Sequence, residues 1–260
     1  MARTLSAPLT HVAALTALLW AVGGTPAAAD DDSRSVTVMT RNLYVGASLT
    51  PAVQATTTQE LLDAVATIYT NSQRTNVPAR AKLLAAEIDK QRPALVGLQE
   101  VGLWRVGPVG VLDGPATPAQ DVALDFLPVL MAELQARGAD YVVVRKQQEL
   151  DLEAPAAAPY FRDIRLTSRD VILARRDVDV RAASSANFAA ASSVPTPVGP
   201  FSVKASWVAA DVSVKRQAFR FVTTHLEPFD PFVRAAQASE LLEPGGPAVI
   251  YPRRDAPAWL

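Results

Sequence analysis

Polar and apolar positions alternate with a period of two along Ser35-Val36-Thr37-Val38-Met39-Thr40, and the stretch is rich in β-branched residues, which predicts a strand. From Thr58 to Thr70 the period changes. Leu61, Leu62, Val65 and Ile68 recur at helical spacing. A second helical pattern runs from Pro78 to Lys90, with Leu83, Leu84 and Ile88 on one face, and Pro93 ends it. Ala94-Leu95-Val96-Gly97-Leu98 is then continuously apolar, as expected of a strand buried on both faces. Its C-terminal end delivers Gln99 and Glu100.

Downstream, the Gly- and Pro-rich stretch from Gly107 to Pro118 predicts a loop. Asp121 to Arg137 reads as one amphipathic helix with Leu124, Leu127, Leu130 and Leu134 inward. Tyr141 to Val144 predicts a strand. Gln147 to Phe161 holds Pro155 and Pro159 among alanines and acids, so it reads as an exposed loop, and Asp151, Glu153 and the nearby Asp163 as solvated acids. Asp170 to Ala174 is another buried-type strand. Ala205 to Val214 and Ala218 to Thr224 flank Lys215-Arg216-Gln217 and predict a hairpin. Asp230 to Leu242 predicts a helix with Asp230 as N-cap before Pro231, and Pro247 to Ile250 opens one more strand. Interleaved helices and strands with a hairpin among them predict an α/β fold of mixed sheets covered by helices.

The first residues have a different character. Arg3 precedes an apolar run from Val12 to Val22, and Ala27-Ala28-Ala29 stands before Asp30-Asp31-Asp32. This three-part pattern predicts a signal peptide over residues 1–29, cleavage at Ala29–Asp30 and a secreted product. The apolar run is shorter than the roughly 20 residues a membrane span needs, and no later stretch supplies one. The full chain of 260 residues has a net charge of -1, and loss of the leader takes away Arg3 and no acid, leaving -2. A near-neutral surface offers no general footprint for nucleic acid. No cysteine is present, which excludes disulfides and thiolate metal sites.

Three polar residues sit at or just beyond the ends of predicted strands: Asn42, Glu100 and His225. Strand ends are where sites gather in α/β sheets. A carboxylate there can hold a hard cation, an amide can orient a ligand, and an imidazole can donate to a phosphate oxygen. Taken singly, each also has a structural reading as a turn residue, a surface acid or a satisfied histidine. The chain has two histidines, and His11 lies in the leader, so histidine chemistry in the remainder falls to His225.

Several of these segments resemble the endonuclease/exonuclease/phosphatase superfamily. Val36-Thr37-Val38-Met39-Thr40-Arg41-Asn42-Leu43 is similar to its opening strand and Asn motif. Pro93-Ala94-Leu95-Val96-Gly97-Leu98-Gln99-Glu100-Val101 resembles its metal-binding Glu segment. Phe221-Val222-Thr223-Thr224-His225-Leu226 resembles its Asn-Thr-His-Leu strand, with Thr223 where Asn is common. Leu166-Thr167-Ser168-Arg169-Asp170-Val171 is similar to the Ser-Arg-acid strand entry of deoxyribonuclease-like members, which implies a phosphate contact for Arg169. The resemblance implies a four-layer sandwich of two mixed β-sheets flanked by helices. It implies hydrolysis of a phosphoester of a nucleic acid, phospholipid head group or sugar phosphate. It gives Glu100 as metal ligand, Asn42 and His225 as catalytic residues, and Mg²⁺ as cofactor, with Mn²⁺ or Ca²⁺ as alternatives. No protein partner is implied.

The resemblance stops near Ile250. The family's Gly-Asp-x-Asn motif should follow Pro247-Ala248-Val249-Ile250, where Tyr251-Pro252-Arg253-Arg254 stands instead, and its late Asp-His motif has no counterpart. The expectation is therefore a domain over residues 30–260 that lacks the last strands of its fold and is impaired as a catalyst. The alternative is a non-catalytic or unstable protein of the same fold.

Overall fold

The computed structural model describes residues 35–114 and 117–249; the expected leader and the segment from Ile250 to Leu260 lie outside them. The chain opens with β1 (Val38–Asn42), α1 (Thr50–Val53), α2 (Thr58–Arg74), α3 (Val77–Gln91) and β2 (Leu95–Gln99). It continues through β3 (Leu103–Gly107), β4 (Asp121–Asp125), α4 (Phe126–Ala136), β5 (Tyr141–Ala156) and β6 (Arg162–Arg175). Then come β7 (Asp179–Asn187), β8 (Ser192–Val194), β9 (Phe201–Val203), β10 (Ser206–Val214), β11 (Gln217–His225) and α5 (Pro231–Leu242).

These elements make an α/β fold with a mixed main sheet. β1 pairs parallel with β2, and β2 pairs antiparallel with β6. Strand β6 organises the sheet. β5 occupies one of its edges over nearly its whole length, while β2 and β3 share the other. β2 pairs with Val171 to Ala174 and β3 with Asp163 to Thr167, so the chain between β2 and β3 runs alongside the middle of β6. A second sheet has the order β11-β10-β7 and is antiparallel throughout. No strand pairs with the outer edge of β11 among the described residues.

Successive side chains of β2 and β6 point to opposite faces, and each face has its own core. Val96, Leu98, Val171 and Leu173 pack with Leu61, Ile68, Ile88 and Leu130 of the helices. Leu95, Ile172 and Ala174 pack with Val208, Ala210 and Val212 of β10. The main sheet therefore lies between a helical layer and the second sheet, which explains why β2 is buried at every position.

Helices α2 and α3 start and stop close to their predicted limits because local signals fix them. Thr57 and Glu60 form a capping box, and Asn76 caps α3 before Pro78. Asp230 caps α5 as predicted, accepting from the backbone N–H of Phe232 and Val233. The hairpin turn also holds, with Lys215 and Arg216 both at positive φ.

Other expectations need correction. Asp121 to Arg137 is not one helix. Asp121–Asp125 pairs with β3, and Asp125 caps α4 by accepting from Leu127 N–H. The segment from Gln147 is not an exposed loop either, because it continues β5 as far as Ala156. Its acids are compensated across the sheet. Asp151 pairs with Arg165, and Thr167 also donates to it. Asp163 is fully buried and accepts from Gly110 and Val111 N–H at 2.9 and 2.7 Å. Pro247 to Val249 form a turn, not a strand, with Val249 N–H donating to the Gly246 carbonyl.

Candidate functional site

Asn42 ends β1 and lies opposite Gln99, the last residue of β2, so these parallel strands finish side by side. Glu100 then turns away with φ 52°. Its carboxylate is held from two sides. The Asn42 Nδ2 amide donates to Oε1 at 2.7 Å, and the Val45 N–H donates to Oε2 at 2.9 Å.

His225 ends β11 opposite Ser206, at the rim of the second sheet. Its Nε2 lies 3.9 Å from Glu100 Oε1 and its Nδ1 3.8 Å from Glu149 Oε1. These separations are ion-pair contacts rather than short hydrogen bonds. The two sheets come together here because Gly97 has no side chain. A Cβ there would stand 2.7 Å from Thr223 Oγ1 and 2.8 Å from Thr223 Cβ. Gln99 Nε2 donates to the same Thr223 hydroxyl at 2.5 Å. The structure thus brings Asn42, Glu100 and His225 to one rim.

Two further acids join them: Glu149, which sequence reasoning left in an exposed loop, and Asp170, the acid of the Ser-Arg-acid strand entry. Glu149 sits where the pairing of β5 with β6 slips between Gln148 and Leu150. Such a bulge re-aims one side chain, and here it brings a buried carboxylate against His225. Asp170 is fully buried and accepts from Ser206 Oγ at 2.6 Å, while its Oδ1 has no hydrogen-bond partner. Ser168 Oγ donates to Glu149. Ser168 and Asp170 alternate with Ile172 on the face toward the second sheet.

The charges act on one another. The Glu149 carboxylate beside Nδ1 is the main influence raising the His225 pKa to about 9; burial opposes it, and Glu100 and Asp170 add to it. The imidazole is therefore a cation at neutral pH. Burial pushes the Asp170 carboxyl well above its usual range, and neighbouring Glu149 pushes the same way; the Ser206 hydrogen bond and the His225 charge pull it back.

Arg169 is not at this rim. It alternates with Val171 and Leu173 on the helical face of β6. It is buried there, with Nε donating to the Val101 carbonyl at 3.0 Å and Nη2 donating to Asp125 at 2.5 Å. The resemblance implied a phosphate contact, but the alternation of the strand turns this side chain away. Its donors instead fix the chain immediately after Glu100, and Val101 N–H donates back to the Arg169 carbonyl at 2.9 Å.

The donors at the rim suit a hard cation in one respect. They are carboxylate oxygens in excess over cationic groups, and each Glu100 oxygen accepts one hydrogen bond and keeps a further lone pair. Among the described residues no three acidic or histidine side chains are placed to share one ion. The protein would therefore offer one or two ligands, with water and substrate oxygens completing the shell, a pattern suited to Mg²⁺.

No protein-family model matches the chain. No curated protein matches it either. Among solved structures it is similar to a mannosyl-6-phosphatase of Bacteroides thetaiotaomicron, at 15% identity and a TM-score of 0.40, over 78% of this chain and 56% of that one. It is similar to an endonuclease/exonuclease/phosphatase family protein of Leptotrichia buccalis, at 12% identity and a TM-score of 0.39, over 63% and 55% of the two chains. It is also similar to an endonuclease/exonuclease/phosphatase of Beutenbergia cavernae, at 20% identity and a TM-score of 0.35, over 62% and 37%. The match thus spans about half of these structures' length or less.

Proposed function

We propose that the rim formed by Asn42, Glu100 and His225 is the phosphoester site of a metal-dependent hydrolase of the endonuclease/exonuclease/phosphatase kind. The observation that carries this reading is the convergence of three strand ends from two sheets on the Glu100 carboxylate. Glu100 would hold Mg²⁺, with Mn²⁺ or Ca²⁺ as alternatives. A bound ion would supply Lewis-acid polarisation of a phosphoryl oxygen and a lowered water pKa. It would also offset the negative charge of Glu100 and Glu149, which otherwise repels an anionic substrate. Asn42 keeps Glu100 aimed. His225, already protonated at neutral pH, donates to a phosphoryl oxygen as charge builds there.

The same proton sets a limit. In the metal-free protein the cationic imidazole is no general base at neutral pH, and no second histidine lies among the described residues. We read the chain as a slow catalyst for this reason. The second reading, a protein that binds phosphoesters without cleaving them, draws on the same observation. Export with removal of residues 1–29 belongs to the proposal, and N-terminal sequencing of the product from a secreting host tests it. Nucleic acid, phospholipid head groups and sugar phosphates are the substrate classes in view.

Phosphorus NMR with a simple phosphodiester tests the site itself. Binding should require Mg²⁺, vanish in Glu100→Gln and weaken in His225→Ala. Absence of Mg²⁺-dependent binding would sink the proposal. Turnover of bis-p-nitrophenyl phosphate should stay near the rate of buffer plus metal. Fast turnover lost in Glu100→Gln would refute the impairment.

A further inference from the structure

Both hydrogen bonds that fix Glu100 depend on the turn that follows β1. Val45 N–H holds Oε2 directly. Asn42 Nδ2 holds Oε1, and the other end of that amide, Oδ1, accepts from Tyr44 N–H at 2.7 Å. The placement of the Tyr44 peptide groups therefore decides where both donors point. Tyr44 itself lies in the left-handed region at φ 55°, an uncommon conformation for a residue with a side chain. Such a backbone persists only where its surroundings over-determine it.

Two side chains brace the carbonyls of this turn. Trp104 Nε1 donates to the Val45 carbonyl at 2.9 Å. Arg80, the fourth residue of α3, donates through Nη2 to the Leu43 carbonyl and, at 3.3 Å, to the Tyr44 carbonyl. Its guanidinium carbon also lies 5.8 Å from the centre of the Tyr44 ring, within cation–π range. Arg41 and Arg80 line the same groove beside Asn42, but Arg41 pairs with Glu87 while Arg80 is committed to the turn.

Local energetics do not favour an arginine at this position. It adds positive charge to the first turn of a helix, where the macrodipole is already positive. Burial pushes its pKa down, and nearby Tyr44 and Glu100 hold it up. Its Nη1 is buried without a hydrogen-bond partner, a costly state for a donor. A residue that breaks local rules in this way marks a functional constraint, and the constraint on the page is the turn that clamps Glu100.

We propose that Arg80 is a positioning residue of the rim: by holding the Leu43 and Tyr44 carbonyls it sets the turn whose donors aim both oxygens of Glu100 at a cation. The role in cation binding rests on the phosphoester reading of the rim. Arg80 touches neither the cation nor the phosphoester and acts through the backbone of residues 43–45.

The test reads the turn first and the cation second. In the metal-free exported chain, hydrogen exchange followed by NMR should show Val45 N–H exchanging about tenfold faster in Arg80→Met than in the parent, the equivalent of one hydrogen bond. Ala85 N–H, in the middle of α3, should stay as protected as before. Arg80→Lys should recover part of the protection at Val45, since an ammonium still donates to a carbonyl. In a phosphodiester titration followed by phosphorus NMR, the Mg²⁺ concentration at half-binding should rise at least about tenfold in Arg80→Met. Lys90→Ala removes a charge from the last turn of the same helix and should match the parent in both measurements. Unchanged exchange at Val45, or an unchanged Mg²⁺ requirement, overturns the positioning role. A loss of protection that extends to Ala85 in both the Met and the Lys variant overturns it as well, since Arg80 would then stabilise the whole fold. A parent without Mg²⁺-dependent binding fails the phosphoester reading alone, and exchange at Val45 then decides whether Arg80 holds the clamp.

Discussion

The Asn42 amide donates to Glu100 Oε1 at 2.7 Å, from the last residue of one parallel strand to the first residue beyond its neighbour. Val45 N–H holds the other oxygen. Glu100 pays for this position with a left-handed backbone, φ 52°, which is uncommon for a residue with a side chain. A carboxylate is thus fixed in direction at a backbone conformation that the sequence does not favour.

Glu100→Asn separates those two properties. Asparagine tolerates the left-handed region, while the shorter amide gives up both hydrogen bonds to the carboxylate. Relief of strain, about 1–3 kcal/mol, opposes loss of two hydrogen bonds to a charged group at about 1.5–3 kcal/mol each. Urea unfolding should show a net loss of no more than about 3 kcal/mol, whereas Mg²⁺-dependent phosphodiester binding should be lost. A variant that is intact in both respects would show that the carboxylate has no functional part.

The proton on His225 should favour the folded state. Its pKa rises from 6.5 to about 9, chiefly through Glu149, so the contribution is fully present below pH 6.5 and disappears as pH passes through 9. His225→Gln should therefore lose more stability at pH 6 than at pH 10, measured as the shift in urea midpoint. Without added metal, NMR of the exported chain reads one imidazole directly. Its midpoint should lie near 9 and fall in Glu149→Gln. A midpoint near 6.5 in the parent would contradict the ion pair.

Asp170 works in the opposite sense. Burial raises its pKa, so the folded state resists ionisation, and stability falls as pH rises above the ordinary carboxyl range. Asp170→Asn removes that charge while leaving a side chain of the same size. The variant should gain on the parent between pH 4 and pH 8 in thermal unfolding. An equal difference at both pH values would mean that the Asp170 carboxyl does not resist ionisation.

Gly97→Ala tests the close approach of the sheets. The added methyl would collide with Thr223, and overpacking of this kind costs about 1–3 kcal/mol. Denaturant unfolding should show that loss, and Thr223→Gly in the same chain should recover part of it. No loss in the single variant would mean that the second sheet slides freely on the first.

How much was legible follows from where each signal resides. Helices α2 and α3 were readable because the capping groups at Thr57 and Asn76 lie beside the apolar periodicity they interrupt. The shared placement of Asn42, Glu100 and His225 was readable because each lies at or just beyond the end of a strand of strong local character. Glu149 was not. It lies in a stretch of acids, alanines and prolines, and that stretch becomes a strand by pairing with β6, where Arg165 and Thr167, more than ten residues away, bond to Asp151. The bulge that aims Glu149 is a property of pairing between two strands, and one strand read alone contains no trace of it. Asp121 to Asp125 misled for a related reason. Its apolar spacing fits a helix, and the decision against one comes from β3 alongside and from Arg169 on Asp125.

Arg169 and Asp170 are neighbours in the chain with opposite charges on opposite faces of one strand. A slip of one residue along β6 would exchange them, setting a guanidinium among the acids of the rim and a carboxylate against the start of α4. The sign of the charge at the rim is therefore enforced by alignment of the strand, and any misaligned form of the sheet would bring a guanidinium to the rim and bury a carboxylate against the apolar core.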